Sequence, residues 1–135
     1  MKKIISALAF VSLTMLFLPA CKKSDKQQTT LEKIQYKWQL ESDEINNHYS
    51  GMDDFTTITG DPGDIIDFRK DGNVYVNVGG FTDTSAYTLS GDTKITIAGT
   101  QIYDIKTLTS NSFILYNKET NGPSDFTEET ITLKK

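Results

Sequence analysis

Few residues in this chain can do chemistry, and their scarcity narrows what it can be. There is one histidine, His48, and one cysteine, Cys21. A nucleophilic triad needs a histidine or an equivalent base beside a serine or cysteine. His48 sits in Ile45-Asn46-Asn47-His48-Tyr49-Ser50-Gly51, which reads as a polar loop where a solvated imidazole is expected. Zinc sites draw several His and Cys ligands at close spacing, and one of each does not make such a set. Carboxylates are plentiful, with 18 Asp and Glu, and they gather at Met52-Asp53-Asp54 and at Asp61-Pro62-Gly63-Asp64. Calcium binds through carboxylate and carbonyl oxygens, but neither cluster has the Asp-x-Asp-x-Asp-Gly spacing; Asp, Pro and Gly in such runs are turn residues. A glycosidase needs two carboxylates held about 5 to 10 Å apart in a cleft, and no particular pair stands out among so many. Gly79-Gly80 lacks the Gly, Lys and Ser or Thr of a phosphate loop. The chain is therefore expected not to be an enzyme, with no catalytic residues, no cofactor and no metal site.

The lone cysteine finds its explanation in what precedes it. A basic start at Lys2 and Lys3 leads into an apolar run from Ile4 to Leu18, and small Ala20 follows; these are the three parts of a secretory signal. The run is about 15 residues, short of the roughly 20 that cross a bilayer as a helix, so a cleaved leader fits better than a permanent span. Leu18-Pro19-Ala20-Cys21 resembles the lipobox of bacterial lipoproteins. That resemblance implies cleavage before Cys21 and attachment of lipid, acyl chains such as palmitate, to its sulfur. One acyl chain binds membranes only marginally, whereas two or more anchor stably. The expected location is the cell envelope, lipid-anchored at the outer membrane through Cys21, with the side it faces left open.

Charge adds an exclusion. The formal net charge of the whole chain is −4, and loss of Lys2 and Lys3 with the leader makes it two units more negative. Binding to phosphate backbones depends on clustered Lys and Arg, so no nucleic-acid partner is expected.

Three regions follow: a signal peptide over residues 1–20, a flexible tether over 21–30, and a domain over 31–135. Lys22 to Thr30 is polar throughout and buries too little to order itself. The remaining hundred or so residues suit one core. Leu31, Ile34 and Trp38 are spaced for one face of a short helix running into a strand. Beyond them the pattern has period two. Ile66 and Phe68 alternate with polar neighbours, Asp71-Gly72 marks a turn, and Val74, Val76 and Val78 follow; Asp-Gly between alternating runs is a strong hairpin signal. A second hairpin runs from Tyr87 and Leu89 through Ser90-Gly91-Asp92 to Ile95 and Ile97. Further strands pass through Tyr103 and Ile105 to Leu108, and through Phe113 and Leu115 to Asn117, with Thr109-Ser110-Asn111 between them. A last strand carries Ile131 and Leu133, and a first carries Trp38 and Leu40. The expected fold is all-β: an antiparallel up-and-down barrel of eight strands with a short N-terminal helix, closed so that no edge is exposed.

Several short runs together resemble the small lipocalin-like domains common among lipoproteins of Bacteroidetes-type bacteria. They are Tyr36-Lys37-Trp38-Gln39-Leu40, Ile66-Asp67-Phe68-Arg69-Lys70-Asp71-Gly72, Tyr87-Thr88-Leu89 with Ile95-Thr96-Ile97, and Tyr103-Asp104-Ile105-Lys106-Thr107-Leu108-Thr109 with Phe113-Ile114-Leu115. Such domains usually carry a glycine two residues before the first-strand tryptophan, where this chain has Tyr36. The resemblance implies a lipocalin-like barrel with Trp38 plugging one end, as suits a bulky indole that needs one hydrogen-bond partner.

Two functions fit. Small eight-stranded barrels either fill with side chains or hold one small ligand. The first reading is a barrel that binds a small apolar or amphipathic ligand, with Tyr87, Tyr103 and Asn117 among the inward positions as candidate contacts. The alternative is a packed interaction domain without a cavity, presenting loops to another envelope protein. The long segment from Ser42 to Gly63, with Tyr49, Met52 and Phe55 among polar residues, would be its loop or an extra strand.

Overall fold

The computed structural model describes residues 28–135. The leader, Cys21 and most of the expected tether lie outside the described residues. Helix α1 (Thr30–Ile34) begins within what reads as tether. Thr29 caps it: the Thr29 hydroxyl accepts from the Glu32 amide, and the Glu32 carboxylate accepts from the Thr29 amide at 2.8 Å. This reciprocal pair satisfies two amide groups that a helix start leaves unpaired. Five residues do not hold a helix by themselves; Ile34 is fully buried, and the Ile34 carbonyl accepts a 3.0 Å hydrogen bond from Trp38 Nε1.

Nine strands follow: β1 (Lys37–Tyr49), β2 (Met52–Thr59), β3 (Ile65–Phe68), β4 (Asn73–Val78), β5 (Phe81–Ser90), β6 (Lys94–Ile97), β7 (Gln101–Leu108), β8 (Ser112–Thr120) and β9 (Phe126–Lys134). Every pairing is antiparallel. Strands β3 to β9 pair in chain order; β1 pairs with β3 on one edge and with β9 on the other, which closes an eight-stranded barrel. The ninth strand, β2, pairs only with β1. The all-β barrel with its short helix is as the sequence predicts, with one hairpin added.

Of the two readings of Ser42 to Gly63, a loop or an extra strand, the strand is the one found. One edge of β1 pairs with β3 over Lys37–Gln39, and the same edge pairs with β2 over Ser42–Tyr49. The β1–β2 hairpin therefore continues past the point where β3 begins. Between these stretches β1 carries a bulge: Leu40 faces Leu133 but Ser42 faces Thr132. An extra residue in one strand exchanges its inward and outward faces. Trp38 and Leu40 point in below the bulge, and Asp43, opposite Ile131, points in above it.

Gly60 sits against this bulge. Its amide donates to the Glu41 carbonyl at 3.1 Å, and a Cβ added there would lie 2.1 Å from the Leu40 carbonyl oxygen. Only glycine permits this approach.

The barrel is packed at one end. Trp38, Phe68, Phe113 and Leu133 are buried with Ile34, and the Trp38 and Phe68 rings lie 5.5 and 5.6 Å from that of Phe113. Trp38 is thus a plug. Tyr36, in the place of the usual glycine, packs edge-on to Trp38 at 6.4 Å, and the Lys135 ammonium lies over the Tyr36 ring at 3.3 Å.

Candidate functional site

The other end of the barrel is open. Between its walls lies a cavity of about 420 Å³, within the range of small-molecule sites. Its position follows from register. Opposite residues in a ladder share a face, and the β4–β5 pairs are Val74 with Ser85, Val76 with Asp83, and Val78 with Phe81. All six line the cavity. The turn between these strands is Gly79-Gly80, with φ of 57° and 81°, the left-handed pair that a two-residue hairpin requires. Leu40, Ile66, Ile97, Leu115 and Ile131 complete the apolar wall, while Asp43, Asp83, Ser85, Thr100, Gln101 and Tyr103 supply polar groups. Phe81 stands at the rim, 67% exposed.

The polar groups are not neutral in sum. Asp43 and Asp83 carry carboxylates, and among the described residues no Lys, Arg or His lines the cavity. Behind Tyr103 lies a third carboxylate, because the Tyr103 hydroxyl donates to Glu129 Oε2 at 2.8 Å. Burial, and then the charge of Glu129, push the pKa of Asp43 up from 3.8 to about 6. One of its oxygens, Oδ1, is shut off from solvent and has no hydrogen-bond partner. Burial first, and the charge of Glu129 next, also hold the Tyr103 phenol well above its ordinary range. It stays protonated and serves Glu129 as a donor. Ser85 Oγ donates to Asp83 at 3.0 Å.

The candidate contacts read from the sequence separate here. Tyr103 lines the cavity. Tyr87 does not; its hydroxyl donates to the Arg69 carbonyl at 2.9 Å and accepts from Gln35 Nε2, and its ring meets Phe68 edge-on at 5.3 Å. Its surroundings are the β3–β4 loop and α1. Asn117 is buried opposite Glu129 on β9 and is not in the cavity wall. The reading missed Asp43, Asp83, Ser85 and Phe81. The available signal was Gly79-Gly80, a hairpin dipeptide that places Phe81, Asp83 and Ser85 opposite the three inward valines.

The other residues singled out have local partners. His48 is not in a loop: it is the penultimate residue of β1, with Nδ1 2.8 Å from Asp53 and its ring stacked on Phe126 at 4.7 Å. The contact with His48, and then that with Asn46, hold the Asp53 carboxyl below its ordinary value. Asp64 accepts from the amides of Asp61 and Gly79, both at 2.9 Å, and these two bonds, in that order, hold its carboxyl below the ordinary pKa. They tie the β2–β3 loop to the β4–β5 turn. Among the described residues no three His, Cys, Asp or Glu side chains are grouped to hold a metal ion.

Neither a protein-family profile nor a curated protein matches this sequence. What the site can do is thus read from its own geometry. Its wall is mostly apolar and carries the carboxylates of Asp43 and Asp83.

Proposed function

We propose that this chain is a membrane-anchored envelope lipoprotein whose lipocalin-like barrel takes up a small apolar or amphipathic ligand through its open end. The observation that carries this reading is the cavity of about 420 Å³, apolar on its walls and plugged at one end by Trp38 and its aromatic neighbours. A barrel whose side chains filled it would have no such space. Anchoring rests on the leader and on Leu18-Pro19-Ala20-Cys21, and it makes the barrel a tethered binding module rather than an enzyme.

A neutral solvatochromic dye tests the reading. It should bind the protein one to one with a blue-shifted emission. Val76→Trp, which puts an indole into the cavity, should abolish binding while near-ultraviolet circular dichroism stays native. Absence of binding to the wild type, or equal binding by a folded Val76→Trp, would overturn it.

One observation favours the interaction-domain reading. The β1–β2 hairpin runs past the β3 edge while its β1 strand stays paired with β9, and the facing pair Tyr49 and Met52, with Phe55 on the other face, is about seven-tenths exposed; exposed apolar side chains beside one another mark contact surfaces. The open cavity weighs against a packed interior, so any such contact would be additional to ligand uptake.

A further inference from the structure

Resting on that reading, we propose that the cavity selects cationic amphipaths: molecules with an apolar body that ends in a protonated amine or a quaternary ammonium.

The apolar wall sets the body and the charges set the end group. Asp43 on β1 and Asp83 on β5 face the cavity from different strands, and Glu129 on β9 stands behind Tyr103. Among the described residues no lysine, arginine or histidine lines the space to neutralise them. The chain does have cations to pair with carboxylates, but it uses them elsewhere. Lys94 and Lys106 pair with Asp104, Lys118 with Glu128 and Lys134 with Glu41. The Asp43 oxygen that lacks both solvent and a partner is the kind of group that native proteins seldom leave unsatisfied. That oxygen is itself out of reach of the cavity, but the Asp43 side chain lines the space, and a ligand ammonium there would supply the counter-charge that the carboxylate lacks.

Two further features suit a cation and not an anion. Tyr103 spends its only hydroxyl proton on Glu129, so toward the cavity it offers lone pairs and not a donor. Phe81, Phe68 and Tyr103 place aromatic rings along the wall, and ring faces attract ammonium groups. A fatty acid of the same length would instead bring a second negative charge to Asp43, with no donor to receive it. The raised pKa of Asp43 agrees with a carboxylate that lacks a counter-charge.

The test compares decylamine, decanol and decanoate below their micelle concentrations, by calorimetry near pH 7.5 at low salt. The amine should bind tightest and decanoate weakest. Asp43→Asn, at the half-buried carboxylate, should weaken the amine on the order of tenfold, less than for a fully buried charge pair because water screens part of it, and Asp83→Asn, at an exposed carboxylate, should weaken it by about two- to fivefold; both should leave decanol unchanged. Decanol binding reports that each variant is folded. If decanol or decanoate binds as tightly as the amine, or the two variants leave the amine untouched, the inference falls while the uptake reading stands. If none of the three binds, both fall. If a folded Val76→Trp still binds the amine, the charge is being read elsewhere and the inference falls.

Discussion

Asp43→Asn should make this protein more stable above about pH 4, with the gain complete from about pH 6. The carboxyl titrates at 3.8 when unperturbed and near 6 in the fold, because burial and Glu129 disfavour its charged form. A group whose folded value is raised binds more protons in the native than in the unfolded state. Its favourable contribution is then complete below the unfolded value and is lost as pH rises through the folded one. At 1.36 kcal/mol per unit, a rise of about two units bounds the penalty of the charged form at roughly 3 kcal/mol. Partial solvent access screens part of that, which leaves about 1 to 2 kcal/mol. Asparagine keeps the shape and removes the charge. Urea denaturation of wild type and variant between pH 4 and 8 should therefore give coincident curves near pH 4, with the variant gaining about 1 to 2 kcal/mol as pH passes 6. In a domain of this size that is roughly 4 to 15 °C in Tm. A gain that does not change with pH, or a variant less stable at every pH, would refute the claim that Asp43 is held charged without a partner.

Trp38→Ala should cost about 3 to 5 kcal/mol, as for other large core truncations, because the indole is fully buried and bonded to the Ile34 carbonyl; chemical denaturation would measure this, and an unchanged midpoint would contradict the plug. Gly60→Ala should destabilise by about 1 to 3 kcal/mol, since its Cβ would meet the Leu40 carbonyl oxygen at 2.1 Å; a neutral thermal shift would mean that the bulge is not where the register puts it. Cys21→Ser should move the protein from the membrane to the soluble fraction on fractionation of cells, and retention in the membrane would argue against a lipid anchor there.

Where the barrel was legible in the sequence, inward residues were apolar at period two. Phe68, Val74, Ile95, Phe113, Leu115 and Leu133 all read as one wall and all are buried. Asp71-Gly72 marked its turn correctly, although the connection is longer than two residues: Arg69 donates to Asn73 at 2.8 Å, and Gly72 alone is left-handed. The upper half of β1 was not legible for two reasons. A bulge reverses its faces after Leu40, and Ile45 is the only aliphatic residue between Glu41 and Tyr49. Strand β2 lies exposed along its whole length, so no face of it had to be apolar. The start of β5 was hidden by polar side chains on its inner face. Asp83 and Ser85 point inward, which breaks the alternation wherever the wall becomes a site. For the same reason Tyr103 was found among apolar neighbours, while the carboxylates beside it were not.

Nuclear magnetic resonance during titration with decylamine, and in parallel with decanol, tests the hollow barrel most directly. The account predicts saturable shifts at Val76, Ile97, Tyr103 and Ile131, with the Trp38 indole and the exposed side chains of the β1–β2 hairpin unmoved. Shifts confined to that hairpin, or none with either molecule, would contradict it.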